Sequence, residues 1–236
     1  MSAGTASPQA WALLALAERA GQWEDLRGHA RAIAASASGL SAAEMRALGR
    51  AYALYTSKLR SEWRGLAAIE ETLQADSGAV RELAALRARL LPALREWYGA
   101  VEEDMARLQA AGGDQYALVF YAKARADNAR YQLEDFRELR QSAGRREAAF
   151  ELYRGAWEEA REGLGVVEPL RLAVALNYAV AQYELGLRPG EAAQFLQEAL
   201  GAAVGRTEQI LPANFRETAG LIQSMRDNVF LWSSSG

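Results

Sequence analysis

Residues 116–134 read YALVFYAKARADNARYQLE, and this stretch decides the fold class. Strong helix formers dominate it, as they dominate the whole chain, whereas β-branched residues are sparse and strict alternation is absent. At about 100° per residue, Lys123, Asp127 and Arg130 fall in one narrow sector, with Tyr131 beside it. The stretch therefore predicts an amphipathic helix with a mostly cationic polar face, in an all-α protein.

Two interpretations of this polar face are open. It is either a solvated surface or an anion site in which Asp127 orients the cations through i,i+4 and i,i+3 contacts. The earlier stretch AYALYTSKLRSEWR, residues 51–64, adds Arg60 and Arg64 one helical turn apart. Arginines that converge from two helices offer the forked donors that suit a phosphate dianion. We favour the anion site.

The composition limits the kind of protein. The 236 residues are 50% hydrophobic and carry a net charge of −3, so a generic nucleic-acid binder is not expected. The chain has no cysteine, and no apolar run reaches the roughly 18 residues that would span a bilayer. We expect one cytoplasmic helical domain over residues 1–236, with flexible ends at 1–7 and 233–236, and with no membrane contact.

Gly and Pro divide the chain into about nine helices, stacked as antiparallel pairs in a curved, tetratricopeptide-like array. Ser41 and Glu44 read as a capping box at the start of the third helix. Pro92 falls inside the fourth predicted helix and should kink or divide it. Breaks are expected near Gly21, Gly39, Ser77–Gly78, Gly112–Gly113, Ser142–Gly144, Gly163–Gly165, Gly186 and Gly205.

The sequence lacks the combinations of residues that a catalytic or metal site requires. His29 is the only histidine, and the carboxylate pairs are adjacent in sequence, so they diverge on a helix. We expect no enzyme, no metal site and no cofactor.

Two later helices add a possible peptide surface. Residues 168–186 place Asn177 and Glu184 seven apart, and residues 221–232 do the same with Leu221 and Asn228. Together with the cationic face, these helices describe a groove suited to an extended phosphopeptide.

The sequence resembles a divergent member of the 14-3-3 family over about residues 11–232. The resemblance rests on segments in order. They are WEDL at 23–26, AY at 51–52 with RSEWR ending at 64, VFYAK at 119–123, ARY at 129–131, PLRLAVALNY at 169–178 and RDNVFLW at 226–232.

The resemblance implies a role for each matching residue. The family's phosphate-binding residues correspond to Arg60, Arg130 and Tyr131, with Lys123 nearby. Its backbone-holding amides would be Asn177 and Asn228. Glu184 and Trp232 would close the groove, and the apolar lining would be Leu176, Val180, Leu221 and Leu231.

The chain departs from the family pattern at several positions. Ala53 stands where the family usually has a basic residue, and Gly220 and Ser224 replace apolar groove residues, so we expect weaker or retuned peptide binding. Lys58 points about 140° away from Ala53 and should not replace the lost charge. The resemblance also implies a homodimer, weakened here by Glu62 at its interface.

Two functions of different class follow. The first is an adaptor that recognises phosphoserine or phosphothreonine motifs in partner proteins. The second is a tetratricopeptide-like scaffold that binds partners independently of phosphate.

Overall fold

The computed structural model describes residues 6–72, 78–186 and 189–233, and within them the protein is helical without a strand. The all-α prediction is confirmed. None of the described helices is long and apolar enough to cross a membrane. Ten α-helices are seen there, with two 3-10 turns at Thr207–Gln209 and Pro212–Asn214. The helices are α1 Pro8–Ala20, α2 Trp23–Ser36, α3 Ala42–Thr72, α4 Gly78–Ala110, α5 Gln115–Asp135, α6 Arg137–Gln141, α7 Ala143–Gly163, α8 Pro169–Glu184, α9 Pro189–Val204 and α10 Phe215–Ser233.

The chain forms two compact units, which comprise Met1–Gly112 and Gly113–Gly236. In the N-terminal unit α1 packs on α2, α2 on α3, and α3 on α4. In the C-terminal unit α5 packs on α7 and α8, and α8, α9 and α10 pack on one another. Successive helices such as α1 and α2, which only Gly21 and Gln22 separate, have connections short enough to favour antiparallel packing.

Local chemistry sets the helix ends where the sequence indicated. The Glu44 backbone N–H donates to the Ser41 hydroxyl at 3.3 Å, and the Ser41 N–H donates to the Glu44 carboxylate at 2.9 Å. These bonds close the predicted capping box. Gly21 ends α1 with φ 64°, which only glycine adopts without strain. The predicted flexible ends lie largely outside the described residues. Of the remainder, Ser7 caps α1 and Ser233 belongs to α10.

Two boundaries differ from the sequence prediction. Helix α4 runs through Pro92 without division, so of the two predicted effects of this proline only a kink remains; the ring is exposed, and its missing N–H costs the helix one backbone hydrogen bond. Phe136 has extended backbone, φ −119° and ψ 104°, and separates α5 from the short α6. Its side chain is buried, so packing rather than a Gly or Pro signal ends α5, and the helix count rises from about nine to ten.

The N-terminal unit is built around Trp97 of α4. Tyr52 stacks on its ring at 5.1 Å, and Tyr55 meets it edge-on at 4.7 Å. The indole N–H donates to the Thr56 hydroxyl at 2.8 Å. The Tyr52 hydroxyl donates to the buried Asp104 carboxylate at 2.5 Å. Packed aromatic rings with satisfied polar groups therefore hold α3 against α4.

Helix α5 is the structural centre of the C-terminal unit. Every residue from Gln115 to Phe136 is buried or half-buried. Ala126 and Leu133 of α5 pack in one apolar cluster with Tyr153 of α7 and Tyr178 of α8. This enclosure fixes the orientation of the polar face of α5.

Candidate functional site

Asp127 is the centre of the polar network on α5. Its carboxylate accepts from the Lys123 ammonium at 2.6 Å, the Tyr153 hydroxyl at 2.5 Å and the Asn177 amide at 2.8 Å. The side chains of Lys123 and Asp127 are only 21% and 13% exposed. The polar face of α5 is therefore an enclosed network that joins three helices, and the interpretation as a solvated face does not describe it.

Arg130 lies on the same face and is held at two of its three nitrogens. Its Nε donates to the Tyr153 hydroxyl at 3.1 Å. One terminal nitrogen forms ion pairs with Glu134, one turn along α5, and with Glu184 of α8 at 3.4 Å. Its guanidinium carbon stands 4.9 Å from the centre of the Tyr131 ring. The predicted i,i+4 contact of Asp127 with Lys123 forms, whereas Tyr153 and the two glutamates orient Arg130.

The network shifts the protonation equilibria of its members. Burial raises the pKa of Asp127, but the charge and hydrogen bond of Lys123 outweigh it, so this pKa lies below its usual value. Burial lowers the pKa of Lys123, and the Asp127 carboxylate more than compensates, so the Lys123 pKa is raised. Both groups stay charged at neutral pH.

The pKa of Glu184 is shifted in the opposite direction from that of Asp127. Burial raises the pKa of its carboxyl, Arg130 opposes that effect, and the neighbouring Glu134 carboxyl adds to it, so the Glu184 pKa is raised. Burial lowers the pKa of Arg130, but Tyr153 and Glu134 raise it by more than burial lowers it. The pKa is therefore raised overall, and the guanidinium keeps its proton. Arg130 is thus a permanent cation between two carboxyl groups that repel each other.

Donors remain available on both cations. An ammonium has three N–H groups, and Lys123 uses one of them, on Asp127. The second terminal nitrogen of Arg130 has no acceptor on the residues that the structure describes. The site therefore offers N–H donors held in place by neighbours on α5, α7 and α8.

The N-terminal unit carries the remaining predicted phosphate residue. Arg60 lies half-buried on α3, and Ala53 is exposed on the same helix. Lys58 pairs with Glu62 at 3.3 Å, one helical turn further along α3.

The residues predicted to hold the peptide lie on α8 and α10, and each has a defined partner. Asn177 donates to Asp127, and the Asn228 amide donates to the Ser224 carbonyl at 2.8 Å. Each amide keeps a carbonyl oxygen as an acceptor. Trp232 stacks on Tyr183 with ring centres 4.7 Å apart and planes at 10°.

The predicted apolar lining divides into two groups. Leu176, Leu221 and Trp232 are half-buried and pack on the core between α8, α9 and α10. Val180 is half-buried, whereas Leu231 is 59% exposed.

Two altered positions lie on the exposed surface of α10. Gly220 and Ser224 are both exposed, and the Ser224 hydroxyl donates to the Gly220 carbonyl at 3.0 Å. A Cβ atom at Gly220 would meet nothing within 4 Å. This surface is open and polar where larger apolar side chains would fit.

Sequence reasoning missed Tyr153 and Glu134. Glu134 follows Arg130 by four residues, so the i,i+4 rule could have found it. Tyr153 has the spacing of a core aromatic in α7, and it does pack in the core. Nothing in the sequence shows that its hydroxyl joins Asp127 to Arg130.

The fold and the network define an all-helical protein with two fixed cations, each paired with carboxylates, beside an open helical surface. The chain matches the family model described as 14-3-3 protein over residues 13–233. It is 30% identical over 227 residues to a 14-3-3 protein homolog of Candida albicans, covering 94% of this chain and 84% of that one. It is also 30% identical over 226 residues to 14-3-3 protein homolog 2 of Echinococcus granulosus, covering 93% and 88%. The chain belongs to the 14-3-3 family.

Family membership decides the broad class of function. The 14-3-3 proteins are adaptors without enzymatic activity, so the prediction that the chain is not an enzyme is confirmed. Membership supports a general role as a phosphopeptide-binding adaptor. The identities of 25 to 30% to the relatives compared agree with a divergent member.

Proposed function

We propose that this protein recognises phosphoserine or phosphothreonine motifs in partner proteins, with weakened or altered affinity. The observation that carries the proposal is the arrangement of Lys123 and Arg130. Both are held by hydrogen bonds in a half-buried network, and both retain N–H donors. Donors that are fixed before binding lose little conformational entropy when a phosphate arrives.

The neighbouring carboxylates mean that only an anion that binds more strongly than they do can occupy the site. Lys123 and Arg130 face the carboxylates of Asp127, Glu134 and Glu184, so two positive and three negative charges leave a formal −1. An incoming anion can bind the N–H groups that remain available, and it competes with Glu134 and Glu184 for the charge of Arg130. A phosphate monoester carries about −1.5 to −2 charge at pH 7 and three acceptor oxygens, which suits this competition.

We propose further that α8 and α10 hold the peptide chain. The free carbonyl oxygens of Asn177 and Asn228 can accept backbone N–H groups. Leu176, Val180, Leu221 and Leu231 would contact its side chains, and Trp232 would stand near Glu184 at the side of the groove.

The weakened affinity follows from three positions. Ala53 leaves the N-terminal unit without a cation that the family usually has there. Gly220 and Ser224 reduce the apolar area available to a peptide, at about 25 cal/mol for each Å². Arg60 is proposed as a further phosphate ligand on the strength of the family resemblance.

The test compares peptides that differ only in one phosphate. Binding of fluorescent phosphoserine peptides and their unphosphorylated counterparts is measured by anisotropy. We expect a clear preference for the phosphorylated form. Arg130→Ala and Arg60→Ala should each weaken binding about tenfold or more, because each charge-assisted bond contributes about 1.5 to 3 kcal/mol. Ala53→Lys should strengthen it.

The matched control is Arg145→Ala. Arg145 is an exposed cation of the C-terminal unit, so its loss changes the net charge equally and should leave binding unchanged. Equal binding of both peptide forms would favour the alternative, a tetratricopeptide-like scaffold that is independent of phosphate. Unchanged binding by both arginine variants would contradict the assignment of the site.

We also propose a homodimer weaker than is usual for the family, in the cytoplasm. Leu16 of α1 is 62% exposed and Leu86 of α4 is 42% exposed, so both are available to a second copy of the chain. The ion pair of Glu62 with Lys58 lowers the net negative charge that Glu62 brings there. Sedimentation velocity over a dilution series should show dissociation at micromolar concentration. A tight dimer at nanomolar concentration would refute the weak form.

A further inference from the structure

A cleft of about 300 Å³ lies between α7, α8 and α9, away from the network on α5. Its walls include the rings of Trp157 and Phe195, which meet edge-on at 5.1 Å and 87°, with Leu172 and Ala175. Its polar lining includes Arg171. The volume is at the lower end of the range for small-molecule sites, and the combination of apolar walls with few polar groups is typical of them.

Arg171 is the residue that gives this cleft a chemical preference. One terminal nitrogen donates to the carbonyls of Arg161 and Leu164 at 3.1 and 2.7 Å, at the C-terminal end of α7. Its Nε and its other terminal nitrogen have no acceptor among the residues that the structure describes. The guanidinium also stands 5.6 Å from the Trp157 ring centre. Its free edge therefore has the parallel donor pair that binds a carboxylate with two hydrogen bonds.

The net charge around this cleft is small and positive. Burial lowers the pKa of Arg171, and the positive charges of Arg161 and Arg206 lower it further. No carboxylate of the described chain pairs with Arg171. Glu198 lines the cleft, and Glu162 lies 3.9 Å from Arg161, so three positive and two negative charges leave +1. This balance suits a monoanion better than a dianion.

We infer that this cleft binds a small aromatic monocarboxylate, with its carboxylate on the free edge of Arg171 and its ring against the wall that Trp157 and Phe195 form. The inference is independent of the proposed phosphopeptide function. It concerns a different surface of the C-terminal unit and a ligand that carries no phosphate.

The probe is 2-naphthoate, compared with the neutral 2-naphthamide of the same shape. The full-length protein is labelled with fluorotryptophan, and Trp157→Phe assigns the resonance of Trp157 among the six tryptophans. We expect 2-naphthoate to shift that resonance and to saturate near millimolar concentration or below, as ligand efficiency implies for so small a molecule. The amide should bind about tenfold more weakly.

Three variants locate the probe. Arg171→Gln should abolish the difference between acid and amide. Ala202→Phe places a ring in the cleft from an exposed position and should block both probes, without touching the bonds of Arg171 to α7. Glu198→Gln should tighten binding of the acid, because it removes a negative charge from the lining.

Several results would overturn the inference. Equal binding of acid and amide by the unaltered protein would show that Arg171 does not recognise the charge. Full affinity in Ala202→Phe would place the probe elsewhere. Displacement of 2-naphthoate by a phosphopeptide would assign the probe to the proposed peptide groove, while leaving the phosphopeptide function itself intact.

Discussion

Replacing Tyr153 by Phe tests whether its hydroxyl holds the network on α5 together. The hydroxyl donates to Asp127 at 2.5 Å and accepts from Arg130 at 3.1 Å, and the residue is fully buried. A hydrogen bond to a charged group contributes about 1.5 to 3 kcal/mol. Asp127 keeps Lys123 as a partner and Arg130 keeps Glu134, so part of the loss is compensated. We expect the free energy of unfolding to fall by about 2 to 4 kcal/mol.

The matched control is Tyr183→Phe. Tyr183 is 36% exposed and stacks on Trp232, and its hydroxyl has no hydrogen bond within the described residues. Its loss should change stability by less than about 0.5 kcal/mol. Both free energies come from urea unfolding followed by circular dichroism at neutral pH. If Tyr153→Phe costs no more than the control, the hydroxyl does not support the two charges and the argument fails.

Three further predictions concern the same unit. Glu134→Gln should strengthen binding of a phosphorylated peptide about threefold to tenfold, because the phosphate then competes with one carboxylate fewer for Arg130. The affinity is measured by calorimetry, and weaker binding by the variant would contradict this competition. Asp127→Asn should lower the free energy of unfolding at pH 7 by about 3 kcal/mol, since it leaves Lys123 without its partner. The pKa of Asp127 is lowered in the folded state, so its contribution to stability is present above about pH 4 and is lost as the pH falls through that folded pKa. The free energies of unfolding of the two proteins, measured in urea, should therefore converge in acid. A difference between them that stays constant with pH would argue against the ion pair. Ser224→Leu should tighten peptide binding severalfold in the anisotropy assay by restoring apolar area, and no gain would place the peptide elsewhere.

The part of the site that lies within one helix was predictable from the sequence. Lys123 and Asp127 are four residues apart, and their ion pair forms at 2.6 Å as the helical spacing requires. The helix start at Ser41 was equally local, because capping geometry depends on neighbouring residues alone.

The part of the site that depends on packing was not predictable in this way. Asn177 reaches Asp127 across 50 positions of sequence, and Tyr153 joins two charges from a third helix. The end of α5 at Phe136 also comes from burial of a side chain, since no glycine or proline marks it. Periodicity gives the direction of a side chain from its own helix, but the neighbouring helix decides which partner it meets.

The carboxylates beside Lys123 and Arg130 bear on how the proposed anion site can be selective in an acidic chain. Two bare arginines or lysines in a half-buried network would be costly without partners, because burial penalises an unpaired charge by several kcal/mol. Glu134 and Glu184 reduce that cost for Arg130 in the free protein, while burial and, to a lesser extent, the neighbouring Glu134 carboxyl raise the pKa of Glu184. A ligand with more than one negative charge therefore competes with these carboxylates better than a single carboxylate does. A phosphate monoester carries such a charge and a peptide carboxylate does not, which is why we expect phosphorylation, rather than acidity in general, to govern binding.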